Sequence, residues 1–194
     1  MRMWTIGHST RQIDEFISLL EENEIKLLAD VRAWPASKRY PQFNKDALTE
    51  SLNAHGIRYE HFPDLGGKRK SKPDSRNTAW RNASFRGYAD YMETEQFQEG
   101  IGGLLDLAGQ GAAASADAEV KHDGGEAVTP CPTAIMCAEA VWWRCHRSLI
   151  SDYLKARGIE MMHILGANKT EAHPYTSAAQ IVNGELSYRS ESLL

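Results

Sequence analysis

A chain of 194 residues is long enough for one well-buried core and short for two, and a composition of 42% apolar and 25% charged residues is that of an ordinary globular protein, which excludes disordered, collagen-like and membrane-embedded classes. The opening run from Met1 to Ser9 has no apolar core of signal-peptide length and no later stretch would span a bilayer, so a cytoplasmic protein without a membrane partner is expected. A net charge of −4 excludes nucleic-acid binding over the whole surface but leaves room for a local basic patch, and three cysteines without framework spacing are expected to be free thiols.

Trp4-Thr5-Ile6 closed by Gly7 reads as a first strand. Ile13, Phe16, Ile17 and Leu20 then fall at helical spacing between Arg11 and Asn23, with Ser9 and Thr10 as possible caps. Residues 25–31 form a second strand, apolar on both faces as a buried parallel strand must be, and Trp34-Pro35 ends it. Asn44 to His55 is expected as a helix closed at Gly56, and Ile57 to Phe62 as a third strand stopped by Pro63-Asp64-Leu65-Gly66-Gly67. A polar loop over 68–87 precedes a helix from Tyr88 to Leu107. Residues 108–132, rich in Ala, Gly, Asp and Ser, cannot bury enough surface to order themselves and read as a flexible insertion containing His122 and Cys131. Thr133 to Cys137 is a fourth strand, Cys145 to Arg157 a helix stopped at Gly158, and residues 159–165 a fifth strand.

The alternation predicts an α/β fold: a single open, mainly parallel sheet of about five strands with helices on both faces, Rossmann-like, over residues 1–175, with a C-terminal tail at 176–194 that closes over one edge. The expected strand order is 3-2-1-4-5, which would place His8 and Cys137 on either side of the point where the order reverses.

Ligands bind beyond the carboxyl ends of such strands, and there this sequence carries Gly7-His8-Ser9, Asp30-Val31-Arg32, Asp64-Leu65-Gly66-Gly67 and Cys137-Ala138-Glu139. The densest stretch runs from Cys137 to Arg147. It offers two thiols, a carboxylate, an imidazole and two guanidinium groups around a helix start whose dipole favours an anion and lowers a thiol pKa. Catalytic candidates are Cys137, Glu139, His146 and His8. Candidates for holding an anion or substrate are Ser9, Asp30, Arg32, Gly66, Gly67, Lys68, Arg69, Arg86, Cys145 and Arg147. A structural alternative makes both cysteines core residues and pairs Arg147 with Asp30 or Glu139. Zinc is disfavoured because no C-x-x-C pair occurs, and a phosphatase loop because six residues, not five, separate Cys137 from Arg144. No metal or cofactor is assigned.

The stretch from Gly66 to Tyr88 interleaves basic residues with Trp80 and Phe85, the combination that contacts phosphates and stacks on bases, although a charge run is more often a solvated loop. The substrate class expected is therefore a phosphate-bearing small molecule, a nucleotide or a nucleic acid. The alternatives are a non-catalytic nucleic-acid-binding module and a metal-binding or redox-sensing thiol protein; oligomeric state is not legible.

Thr5-Ile6-Gly7-His8-Ser9, Asp30-Val31-Arg32 with Pro35 and Ser37, Leu65-Gly66-Gly67, and Met136-Cys137-Ala138-Glu139 followed by Cys145-His146-Arg147 together resemble the domain of unknown function 488 family, from residue 3 to about residue 168. The resemblance implies an association with DNA repair rather than a defined reaction. By matching positions, the family's characteristic polar residues fall on His8, Ser9, Asp30, Arg32, Cys137, Glu139, Cys145, His146 and Arg147.

Overall fold

Short apolar runs and helical periodicities alternate along the chain, and the computed structural model, which describes residues 1–109 and 130–190, turns them into strands and helices in the same alternation. In chain order these are β1 (Arg2–Gly7), α1 (Ile13–Glu22), β2 (Leu27–Asp30), α2 (Lys45–Asn53), β3 (Arg58–His61), α3 (Ala83–Met92), α4 (Glu95–Gly109), β4 (Thr133–Cys137), α5 (Arg147–Ala156), β5 (Glu160–Gly166), β6 (Lys169–Ala172), β7 (Gln180–Val182) and β8 (Glu185–Ser187).

Six strands form one sheet in the order β3-β2-β4-β1-β5-β6, parallel except for β6, which runs antiparallel along β5; β7 and β8 make a separate hairpin. The α/β class is as the sequence predicts, but the order is not: β4 lies between β2 and β1 instead of beyond β1. All five residues of β4 are buried, and a strand apolar on both faces belongs at the centre of a parallel sheet rather than toward its edge. The reversal point survives the change. The chain leaves β1 through α1 toward the β3 side and leaves β4 through α5 toward the β5 side. Helices α1 and α2 pack on the face carrying Ile6, Leu28 and Met136, and α3, α4 and α5 on the face carrying Met3, Ala29 and Ile135.

The single helix expected from Tyr88 to Leu107 is two, α3 and α4, because Asn82 caps the first through bonds from Ser84 N and Phe85 N while Thr94 Oγ1 accepts from Phe97 N at the start of the second. Helix α1 begins at Ile13 after Gln12, so Ser9 and Thr10 do not cap it, and Ser9 instead adopts a positive φ of 50°. Both ends of the expected insertion belong to the packed body: Ala108 is buried in the last turn of α4, and Pro132 O accepts from Lys26 N and Leu27 N. Its middle, with His122, lies outside the described residues. After β6 the chain folds back over α5, where Ala178 and Tyr188 are buried in the core.

Candidate functional site

Parallel pairing sets Gly7 opposite Cys137, and the ladder continues into the loops, with His8 N donating to Cys137 O at 3.0 Å and Ser9 N to Ala138 O at 3.0 Å. The two loops approach this closely because position 7 has no side chain: a Cβ there would stand 1.9 Å from Glu139 O and 2.9 Å from a terminal nitrogen of Arg147. Gly67 does the same for the loop after β3, where a Cβ would lie 2.8 Å from His146 Nδ1. Both motif glycines answer to close packing rather than to a left-handed backbone.

Where the loops meet, the sulfurs of Cys137 and Cys145 and a ring nitrogen of His146 lie within 4.8 Å of one another. Behind them sits Arg147, 1% exposed. Its Nε donates to Cys145 Sγ at 3.4 Å, and its terminal nitrogens donate to Thr5 Oγ1 at 3.4 Å and to Glu139 O at 2.6 Å. Among the described residues no carboxylate forms an ion pair with it. A guanidinium cannot shed its proton, and an uncompensated buried charge costs several kcal/mol. The Cys145 sulfur is the group placed to answer it as an anion.

The surrounding groups agree. Burial raises the Cys145 thiol, but the hydrogen bond from Cys137, then the charge and hydrogen bond of His146, then Arg147 overcome it and hold Cys145 well below the ordinary thiol value. Cys137, which gives that hydrogen bond and is buried besides, is pushed well up and stays a thiol. His146 Nε2 lies 3.2 Å from Val31 O, to which it donates, leaving Nδ1 facing Cys145 Sγ at 3.6 Å. Tyr88 covers the imidazole with ring centroids 5.1 Å apart and fastens itself through its hydroxyl to Leu65 O at 2.8 Å.

Beside this centre a second buried group forms around Asp30. Arg32 Nε contacts both carboxylate oxygens, at 2.9 and 3.0 Å, and Tyr59 Oη donates to Oδ2 at 2.7 Å. The Arg32 terminal nitrogens reach Phe43 O at 2.8 Å and His8 Nε2 at 3.3 Å. His8 Nδ1 then donates to Ser9 O at 3.0 Å, and the ring stacks on Phe43. Burial, followed by the charge of Arg32, lowers its pKa to about 4, so His8 is neutral at pH 7 with both nitrogens engaged. The structural pairing of Arg147 with Asp30 or Glu139 does not form: Arg32 takes Asp30, and Glu139 offers its carbonyl while its side chain stands at the exposed rim.

The remaining sequence candidates divide. Lys68 is exposed with a φ of 62°. Arg69 lies over the Tyr91 ring at 3.6 Å and donates to Gly66 O and Asp64 O, and Arg86 donates to Trp80 O. Trp80 packs against Phe85 and Tyr188, so the interleaved aromatics of this loop serve the core. Two exposed tryptophans stand elsewhere on the strand-end loops, Trp34 at 78% and Trp143 at 51%. Ser9 and Ala140 line a shallow cleft of about 260 Å3 above the junction of β1 and β4, with Thr10, Arg11 and Glu15. Thr5, Tyr59 and Tyr88 were not among the sequence candidates, since a hydroxyl inside an apolar run carries no signal of its own.

Cys137, Cys145 and His146 are donors suited to a soft divalent ion. A dication there would stand beside the Arg147 guanidinium with no carboxylate to offset it, so the charges favour one anion against one cation. All three cysteines are free thiols. No helix of the described residues is long and apolar enough to cross a membrane.

The family model described as Domain of unknown function DUF488 matches the chain over residues 12–123 and 113–154, the second segment ending within α5 and containing both cysteines of the cluster. No curated protein and no solved structure matches the chain.

Proposed function

For a chain that belongs to the Domain of unknown function DUF488 family, we propose an enzyme whose reacting atom is the Cys145 thiolate and whose substrate carries a phosphate or comparable anion, as a nucleotide or nucleic acid does. The observation that carries this reading is Arg147, buried with no carboxylate partner among the described residues and donating to Cys145 Sγ at 3.4 Å. A thiolate held ready at neutral pH is the nucleophilic form of cysteine.

In this reading Cys145 Sγ attacks an electrophilic centre of the substrate. The bond to the leaving group breaks, and the leaving atom takes a proton from solvent, while His146, its ring oriented by Val31 O, faces the sulfur through Nδ1. Cys137 remains a thiol and hydrogen-bonds the thiolate before attack. His8, neutral and engaged on both nitrogens, orients Arg32 and the Ser9 loop rather than moving protons. The exposed Lys68, Lys70, Arg144, Trp34 and Trp143, carried by the loops after β2, β3 and β4, supply charge and stacking surface for a phosphate-bearing ligand. Cys145 is 3% exposed, so reaction requires the groups packed over its sulfur to move aside.

Iodoacetamide labelling near pH 7, with sites assigned by mass spectrometry, tests the reading. The expected result is modification of Cys145 in the folded chain, with Cys137 spared. Labelling of neither thiol until urea unfolds the chain would retire the nucleophile and leave a non-catalytic module; salt-dependent binding of a single-stranded oligonucleotide that survives in Cys145→Ala would then identify that module.

A further inference from the structure

Four buried polar groups outside the cluster described above line up behind Arg147. Thr5 Oγ1 receives a hydrogen bond from an Arg147 terminal nitrogen at 3.4 Å and lies 2.7 Å from His163 Nδ1. His163 Nε2 lies 2.9 Å from His173 Nδ1, and His173 Nε2 lies 3.0 Å from Asp152 Oδ1. Thr5, His163, His173 and Asp152 are all buried, and Trp142 stacks on the His163 ring at 4.3 Å, sealing the row from the side.

The direction of this row follows from its two ends. Arginine only donates and a carboxylate only accepts, so with one proton on each ring His173 gives its proton to Asp152, His163 gives its own to His173, and the Thr5 hydroxyl, accepting from Arg147, turns its proton to His163 Nδ1. His163 then carries its proton on Nε2 and donates to His173 Nδ1, and His173 donates from Nε2 to Asp152. With one proton on each ring every contact in the row has a donor and an acceptor, in keeping with the lowered pKa of His163, which burial, then the neighbouring His173 and Arg147, bring to about 2. Asp152 ends the row as a carboxylate that also accepts from Thr176 N at 2.9 Å, Thr176 Oγ1 at 2.6 Å and Tyr188 Oη at 2.9 Å. The face of the sheet that holds Thr5 and Cys137 also holds His163, so three neighbouring strands and α5 build one continuous polar seam through an apolar layer.

Resting on the reading of Cys145 as the reacting thiolate, we propose that Thr5, His163, His173 and Asp152 are positioning residues: a one-way hydrogen-bonded row that fixes the Arg147 guanidinium against Cys145 Sγ and ends its donated polarity on a buried carboxylate. A row used only for packing has no need of a common direction, and hydrogen bonds that run head to tail in a low-dielectric interior reinforce one another. Cutting the row at Thr5 frees one edge of the guanidinium to turn from the sulfur, which removes thiolate stabilisation without touching either cysteine.

The pH profile of Cys145 alkylation by iodoacetamide, read by mass spectrometry on the full chain, tests this. The groups facing Cys145 are Cys137 from β4, Tyr88 from α3, and His146 and Arg147 at the start of α5, and the variants below leave all of them in place. Thr5→Val, which keeps the shape and removes both bonds, is expected to move the inflection up by about one unit, roughly a tenfold loss of rate at a pH below both inflections. Thr5→Ser, which restores the hydroxyl, is expected to return it. His163→Leu, which removes both bonds, gives a second cut should the valine variant not fold, with an upward shift again expected. A wild-type inflection well below the ordinary thiol value that stays fixed in the folded cut variants, with stability alone reduced, would overturn the inference and leave the nucleophile standing. A wild-type Cys145 that titrates as an ordinary thiol would overturn both.

Discussion

Lowering the pH from 7 to 4.5 should remove stability through two particular rings. His8 has its pKa lowered to about 4 and His163 to about 2, against an ordinary value of 6.5. The folded rings therefore refuse a proton that the unfolded chain accepts, so stability is full above pH 6.5 and falls as the pH drops toward 4. At pH 4.5 the unfolded chain holds nearly one proton on each ring while the folded chain holds a fraction on His8 and almost none on His163, which linkage converts to about 2.5 kcal/mol for each ring. The sum, about 5 kcal/mol, is of the order of a whole domain's stability. Carboxylates titrate in the same range, so the decisive measurement is a difference: urea unfolding of the wild type and of His163→Gln at pH 7, 6, 5 and 4.5. The variant lacks one titrating ring, so its deficit relative to wild type should shrink by about 2.5 kcal/mol across that range. A deficit that stays constant with pH would mean that His163 accepts a proton in the folded chain, and the direction of the polar row would be wrong.

Gly7→Ala should destabilise the chain by about 2 kcal/mol or more, seen as a fall in melting temperature, since a Cβ 1.9 Å from Glu139 O forces the two loops apart. Tyr59→Phe removes a hydroxyl that donates to buried Asp30 at 2.7 Å and should cost about 1–2 kcal/mol in urea unfolding, with the Arg32 pair left in place.

The sequence reading placed its candidate site by a rule about where strands end, and the structure brings Cys137, Cys145, His146 and Arg147 together there because that placement depends on which residues leave the sheet, not on the order of the strands. Order was misjudged because chain neighbours are sheet neighbours more often than not, whereas here the fully buried β4 displaces β1 from β2. That single exchange decides which guanidinium meets which acid, so the partner of Arg147 could not be read from spacing. Asp152 looks like an ordinary polar position of an amphipathic helix until Thr176 and Tyr188, which arrive from the end of the chain, cover it. His163 carries no mark of membership in a row, because its partners Thr5 and His173 lie on β1 and in the loop after β6. The loop over 68–87 misled in the opposite sense. Its basic and aromatic interleaving is that of a nucleic-acid reader, yet Trp80 packs on Phe85 and Tyr188, and Arg69 and Arg86 are bound to backbone carbonyls.

The charge state of Cys145 can also be examined without any reagent. If its sulfur is the counter-charge of Arg147, Cys145→Ala leaves a guanidinium of 1% exposure with no anion beside it among the described residues, a situation that costs about 3–5 kcal/mol. Cys137→Ala, by contrast, strands no charge and should cost less, about 2–3 kcal/mol for the small cavity and the hydrogen bond its thiol gives the Cys145 sulfur. Arg147→Met in the Cys145→Ala background then removes the stranded charge, and the double variant should be more stable than Cys145→Ala alone. Two cysteines that merely fill space would give similar single losses, and the double variant would be the least stable of the set. Chemical denaturation at pH 7 distinguishes the two patterns, because the sign of the second step, not its size, carries the answer.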